Sequence, residues 1–254
     1  MNPVRDSAVR VGFVYPELLG TYGDRGNAVV LVQRCRWRGI PAELVEISAG
    51  QPIPDSLDVY LFGGGEDDPM TMAAAGMRAS RSAIERARAG GAAVLAVCGG
   101  FQLVGDRYVA ADGEVLEGIG IVDLVTHAGS PRLIGEVVID PDPPLPRLTG
   151  FENHGGRTTL GPGVRPLGRV VTGGGNGDGS GVEGVLGERL VGTYLHGPVL
   201  PRNPALADHL LTWVTGGLPP LPSDLEARLH DTRVHAGMAR GIRRWWRDRM
   251  LARG

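Results

Sequence analysis

Two side chains able to carry acyl-transfer chemistry stand far apart along the chain, a cysteine at 98 and a histidine at 196. Cys98 ends the apolar run Ala92–Val97, the pattern of a strand buried on both faces. Gly99, Gly100 and the helix-capable stretch Phe101–Gln102–Leu103–Val104 follow without a loop. A strand, a nucleophile and a helix joined this tightly form a nucleophile elbow. Glycines beside the reactive residue tolerate the sharp turn, which lifts the sulfur out of the sheet. The free N–H groups of the following helix are expected to favour thiolate over thiol. The other reading of a cysteine after a strand is an inert buried thiol; the paired glycines and Gln102 weigh against it.

His196 follows the apolar stretch Val191–Leu195 and precedes Gly197 and Pro198, which stop regular structure. A strand end before a breaker suits a general base. His154, in the tract G-F-E-N-H-G-G-R-T over 150–158, is its chief rival among the six histidines, and spacing alone leaves both open. Gly63, Gly64 and Gly65 follow the apolar run Val59–Phe62. Three glycines at a strand's carboxyl end let backbone amides approach a ligand. Amides of Gly64 and Gly65 would form half of an oxyanion hole and that of Gly99 the other half; a plain strand-to-helix turn is the bland alternative. Asp24 and Asn27 either cap the helix expected over Ala28–Arg38 or line the site. No metal-ligating constellation is read from the sequence.

Positioning these groups requires a sheet. Strands are expected at Val9–Tyr15, Ala42–Ile47, Val59–Phe62 and Ala92–Val97, with helices at Ala28–Arg38 and Met70–Ala89. That alternation predicts an α/β fold, a mostly parallel sheet flanked by helices with its ligands at the strands' carboxyl ends. Short β-type segments then dominate: Ile119–Leu124, Ile134–Ile139, Phe151–Asn153, Arg169–Thr172, Gly181–Leu186 and Leu190–Tyr194. They predict an antiparallel extension, with the glycine-rich 173–181 as a mobile hairpin loop. A helix over Asn203–Val214 closes the first unit, residues 1–218. Residues 219–254 form a Pro-rich linker and a helical tail bearing Arg240, Arg243, Arg244, Arg247, Trp245 and Trp246.

Composition narrows the function classes. The 254 residues are 42% hydrophobic, enough for a substantial core. A net charge of −2 gives no broad field toward nucleic acid, and no apolar run reaches the ~20 residues of a membrane span. Cys35 and Cys98 are the only cysteines, and residues 1–10 lack a signal-peptide core. A reducing, cytoplasmic setting fits. The chain contains no lysine, which excludes a P-loop lysine and a Schiff-base lysine. Nucleotide chemistry would therefore fall to another polypeptide.

Together these residues resemble the class I glutamine amidotransferases, whose elbow reads roughly G-x-C-x-G-x-Q; here it is A-V-C-G-G-F-Q over 96–102. The tracts 150–158 and 192–197 resemble the cobyric-acid-synthase-like branch. Y-G-D-R-G-N over 22–27 and G-F-E-N-H-G-G-R-T are most similar to the small glutaminase subunits of lipid II isoglutaminyl synthases, the GatD type. The resemblance covers about 9–214 and implies the following. Cys98 attacks the side-chain amide of L-glutamine, His196 serves as base and acid, amides near Gly64, Gly65 and Gly99 hold the oxyanion, and Gln102 shapes the pocket. Arg132 grips the glutamine α-carboxylate, against the plain reading of a surface arginine. No cofactor is expected on this chain; ATP and Mg are expected on a Mur-ligase-like (MurT type) synthase partner that takes lipid II as acceptor. One departure stands out. The family glutamate two residues after the histidine is Pro198 here, so a third triad member is expected from elsewhere, with the synthase subunit favoured.

Other readings remain open at this level. The same chemistry could serve a corrinoid synthase, although the start of the chain almost at its first strand suits a separate glutaminase subunit. A cysteine hydrolase on a similar sheet and a non-catalytic interaction subunit are the remaining alternatives.

Overall fold

The computed structural model describes residues 7–251, with the backbone alone for Asp67 and residues 240–251. In chain order the elements are β1 (Val9–Val14), α1 (Pro16–Leu19), α2 (Arg25–Arg36), β2 (Ala42–Ile47), β3 (Val59–Phe62), α3 (Asp67–Ala79), α4 (Arg81–Ala89), β4 (Ala93–Val97) and α5 (Gly99–Leu103). Next come β5 (Arg107–Val109), β6 (Val115–Glu117), β7 (Leu124–Asp140), β8 (Leu148–Leu160), β9 (Gly168–Thr172), β10 (Val182–Glu183), β11 (Val185–Gly187) and β12 (Leu190–Thr193). Helices α6 (Val199–Arg202), α7 (Pro204–Thr215) and α8 (Leu225–Leu251) complete the chain.

The first sheet has the order β11-β12-β4-β3-β1-β2. Every neighbouring pair is parallel except β11 with β12. Its central strands β3 and β4 are buried along their whole length, as strands covered by helices on both faces must be. Helix α2 packs on β1 and β2, and α7 on β4. The α/β architecture with an antiparallel extension expected from the sequence is the one the chain adopts.

The second sheet runs β10-β9-β7-β5-β6, with β8 paired to β7. Here the structure corrects the sequence reading. The short segments around Ile134 and Phe151 belong to a long antiparallel ribbon, β7 of 17 residues and β8 of 13, whose register shifts between Ala128 and Leu133. Residues 119–123 are not a strand; the Ile119 and Ile121 N–H groups instead donate to the carbonyls of Leu103 and Val104 at the C-terminal end of α5. The Met70–Ala89 helix is two helices broken at Ser80, whose hydroxyl accepts the Ile53 N–H. The glycine-rich loop is tied down rather than free. Glu152 accepts from the amides of Gly174 and Gly175, and the buried Asn176 bonds Thr158, Val182 and Gly184.

Helix α8 lies on the body. Arg34 bridges Asp208 and Glu226, the His230 ring bonds the Arg202 carbonyl, and Gly237 sits against Val138. The tail's arginines from 240 on, its tryptophans and residues 252–254 lie outside the described side chains or residues. No helix among the described residues is long and apolar enough to cross a membrane.

Candidate active site

The elbow is built by three close approaches. Cys98 has φ 51° and ψ −107°, a positive φ that an L-residue adopts only where its surroundings impose it. Its N–H is held by the Thr193 carbonyl of the neighbouring parallel strand at 2.9 Å. Gly100 passes so near β3 that a Cβ there would stand 2.5 Å from the Phe62 carbonyl oxygen. The glycine triplet and the elbow are also bonded directly, Gly100 N–H to Gly63 O at 2.9 Å.

His196 reaches the same place from β12. Three steps past the Val97–Thr193 pairing, its backbone makes an antiparallel bridge with Phe151 of β8. The position that a Gly64 Cβ would occupy is 3.4 Å from both Cys98 Cβ and His196 Cε1. The two side chains thus both border Gly64, beside the glycine triplet. Tyr22 closes the far side, its ring edge-on to His196 with centroids 5.1 Å apart and its hydroxyl bonded to Glu66.

His154 is also close, but differently employed. Its ring stacks on Tyr194 at 3.6 Å and its Nδ1 donates to the Gly156 carbonyl. Tyr194 in turn bonds Gln102 and Thr158. Gln102 is therefore buried between α5 and β8, where a Cβ on Gly156 would stand 2.5 Å from its Nε2. Arg132 stands exposed on β7 with Nε on Asn153 Oδ1 at 2.7 Å and Nη2 on the Asn153 carbonyl at 3.0 Å. Its charge is felt at Cys98, His196, His154 and Tyr22. Arg157 braces that turn through the Pro131, Gly155 and Gly156 carbonyls.

The electrostatics correct the thiolate expectation. Burial, reinforced by the charge of Asp24, pushes the Cys98 thiol up to about 12. The Gly99 N–H works against this but does not offset it, and five-residue α5 contributes little dipole. Burial and the nearby Arg132 bring His196 down to about 4. In the free chain the pair is therefore neutral thiol and neutral imidazole. Neither ring nitrogen of His196 has a hydrogen-bond partner among the described residues.

Asp24 does not cap α2, since no side-chain cap bond forms there. Its buried carboxylate takes the Gly64 N–H at 2.7 Å and the Asn27 amide at 3.1 Å, and burial raises it to about 6. The Gly64 N–H is thus engaged, and the Gly65 N–H lies beside Gly99. Glu183, which the sequence reading passed over, sits fully buried under the histidine strand and accepts from Thr193 Oγ1 and Tyr194 N. Its signal was weak: one acidic residue between glycines. No group of three or more His, Cys, Asp or Glu among the described residues could hold a metal ion.

A cysteine on an elbow and a histidine beside the same glycine triplet, on a mostly parallel sheet, fit an enzyme of the glutamine amidotransferase class. The chain belongs to the CobB/CobQ-like glutamine amidotransferase family, whose domain model matches residues 10–204. Among its relatives is the protein named lipid II isoglutaminyl synthase (glutamine-hydrolyzing) subunit GatD of Staphylococcus aureus (strain N315), 40% identical over 76% of this chain and 79% of that protein. The protein of that name in Streptococcus pneumoniae (strain ATCC BAA-255 / R6) is 36% identical over 80% and 79%. A cobyric acid synthase of Pelotomaculum thermopropionicum is 37% identical over 52% of this chain and 28% of that protein. A solved glutamine amidotransferase superposes with TM-score 0.54 at 17% identity, covering 80% of this chain and 98% of that one; at such identity the likeness carries the fold alone.

Proposed function

We propose that this chain is the glutaminase subunit of a lipid II isoglutaminyl synthase. The observation that carries the reading is the placement of Cys98 and His196 beside the same glycine, Gly64, in a chain whose similarity to the GatD proteins extends over most of both partners. The cobyric acid synthases share a much smaller part of their own length, which favours lipid II over a corrinoid as the acceptor system.

In this reading Cys98 Sγ attacks the side-chain carbonyl carbon of L-glutamine while its proton passes to His196. The developing oxyanion is received by the Gly65 and Gly99 amides. His196 then gives the proton to the departing nitrogen, so the C–N bond breaks and ammonia leaves behind a glutamyl thioester. Water, deprotonated by His196, cleaves the thioester to glutamate and restores the thiol. Gln102 and its Tyr194–Thr158 network hold the β8 wall of the pocket, and Arg132 takes the α-carboxylate. The ammonia passes to a Mur-ligase-like (MurT type) synthase subunit. That subunit would hold ATP and Mg, which would supply the activation of the α-carboxylate of D-glutamate in lipid II for amidation to D-isoglutamine.

A neutral thiol facing a neutral imidazole is a weak pair. A carboxylate brought beside His196 by the synthase subunit would raise the imidazole's pKa, and the resulting imidazolium would lower that of the thiol. Pro198, where the family pattern has glutamate, supports that assignment. The test is glutamine-dependent ammonia release by the chain alone and with its synthase partner. Release should rise at least tenfold on docking and disappear in Cys98→Ala. Equal rates with and without partner would remove the partner's carboxylate from the mechanism, and full activity in Cys98→Ala would remove the mechanism itself.

A further inference from the structure

We infer that Asp24 is a positioning residue: its carboxylate, with Asn27, ties the glycine triplet to the histidine loop and so aims the Gly65 N–H as the oxyanion donor. This rests on the glutaminase reading and deepens it. Three consecutive glycines have no side chains to fix their peptide planes, and each plane can flip at little steric cost. Three hydrogen bonds hold them: Gly100 N–H to Gly63 O from the elbow at 2.9 Å, and two from the segment before α2. The Gly64 N–H is bound by Asp24 Oδ2 at 2.7 Å. The Gly64 carbonyl accepts the Thr21 N–H at 3.3 Å. In a trans peptide the N–H points opposite to the carbonyl, so the Gly65 N–H is directed away from Thr21. Gly65 N lies 3.1 Å from where a Gly99 Cβ would stand, which places its N–H beside the elbow.

The same carboxylate reaches the base. Asp24 Oδ1 accepts the Asn27 side-chain amide, and Asn27 Oδ1 accepts the Leu200 N–H at 2.9 Å, four residues after His196. Gly26 lies against Pro198, so close that a Cβ would stand 2.6 Å from Pro198 Cγ. The start of α2 is thus the frame on which both the donor loop and the base loop hang. Asp24 is 1% exposed and Asn27 0%. A carboxylate so deeply buried near a nucleophile opposes thiolate formation, and its retention is accounted for by what it orients.

The prediction follows from that opposition. Removing Asp24 frees the Gly64 N–H, loosening the loop that carries the oxyanion donor, but also removes a negative charge near Cys98, so turnover and thiol reactivity should move apart. Asp24→Ala in the complex with the synthase subunit, normalised to titratable Cys98, should lower glutaminase kcat about 10- to 100-fold. KM for glutamine should stay within about twofold, since the hole acts on the transition state. Alkylation of Cys98 by iodoacetamide, which passes through no oxyanion, should be unchanged or faster. Asp24→Asn, which keeps an acceptor for Gly64 but sets two amide donors against each other at Asn27, should give the same pattern more weakly and serves if the alanine variant fails to fold. Wild-type kcat in either folded variant, or kcat and alkylation falling together, overturns the inference. A wild-type complex that releases no ammonia from glutamine would instead overturn the function on which it rests.

Discussion

Arg132 is the residue whose two proposed effects can be separated by experiment. Its guanidinium is set by Asn153, and its positive charge helps hold His196 at about 4. As the grip on the glutamine α-carboxylate, it should contribute through KM; as a neighbouring cation, through the pH profile. Arg132→Ala is expected to raise KM about 10- to 100-fold, the loss of a charge-assisted forked contact. It should also move the acid limb of kcat/KM to higher pH, because the imidazole no longer faces that charge and protonates more readily. Arg132→Lys retains the charge without the fork, so the limb should stay near its wild-type position while KM remains high. Initial rates across a pH series with all three proteins check both halves. At this scale the sequence was informative where chemistry is written in one short tract: the elbow, the triplet and the strand-end histidine all come to one place. It did not tell Asp24's cap from its true partners, because Gly64 is 40 residues away. Nor could it weigh burial against a helix terminus for the thiol, which the packed core decides.

Elements are set here by how closely backbones approach. Gly99 and Gly100 look equivalent in sequence, yet their surroundings differ. A Cβ on Gly100 would meet the Phe62 carbonyl oxygen at 2.5 Å and its carbon at 2.8 Å, fixed atoms of a central strand. A Cβ on Gly99 would meet Met70 Sδ at 2.9 Å, on a flexible side chain, and the backbone only at Gly65 N, 3.1 Å away, a milder approach than at Gly100. Gly100→Ala should therefore destabilise the fold by about 1–3 kcal/mol or more and Gly99→Ala by clearly less. Urea denaturation midpoints at unchanged m-value measure the difference; equal midpoints would mean that β3 and α5 are not packed as described. The same scale shows why the antiparallel half was less legible than the parallel half. In β7 and β8 the residues Gly129, Pro131, Gly150, Gly155 and Gly156 read locally as turns. In the folded chain several are glycines because another element presses on them: Gly150 against Leu195, Gly156 against Gln102 and Tyr194. Only non-local pairing identifies them as strand. The parallel strands, by contrast, are marked by uninterrupted apolar runs such as Val59–Phe62 and Ala93–Val97.

Over the whole molecule, the catalytic histidine proposed here hangs between two sheets, and Glu183 joins them. It belongs to β10 in the second sheet but accepts from Thr193 Oγ1 at 2.8 Å and Tyr194 N at 2.6 Å, at the end of β12 in the first. Its other oxygen has no hydrogen-bond partner among the described residues. Burial, with the charge of nearby Glu152, raises this carboxyl from 4.5 to about 7. The folded chain thus holds the proton more tightly than the unfolded chain does. The stabilisation this gives is complete below about pH 4.5 and is lost as pH rises through 7. Buried His154 and His196 act in the opposite sense, losing their contribution as pH falls below 6.5, but they are common to wild type and any Glu183 variant. Glu183→Gln keeps an oxygen for Thr193 and Tyr194 and has no proton to lose. Its stability relative to wild type should therefore improve steadily between pH 4.5 and 8, by up to roughly 3 kcal/mol. Glu183→Ala removes the acceptor itself and should cost about 1–3 kcal/mol at acid pH, where the wild-type carboxyl is neutral. Thermal or urea unfolding of the three proteins at several pH values reads the slope directly. A Glu183→Gln difference that does not change with pH would mean that this carboxyl already ionises normally in the folded chain. The joint between the sheets would then not be the neutral hydrogen-bonded acid that its burial requires.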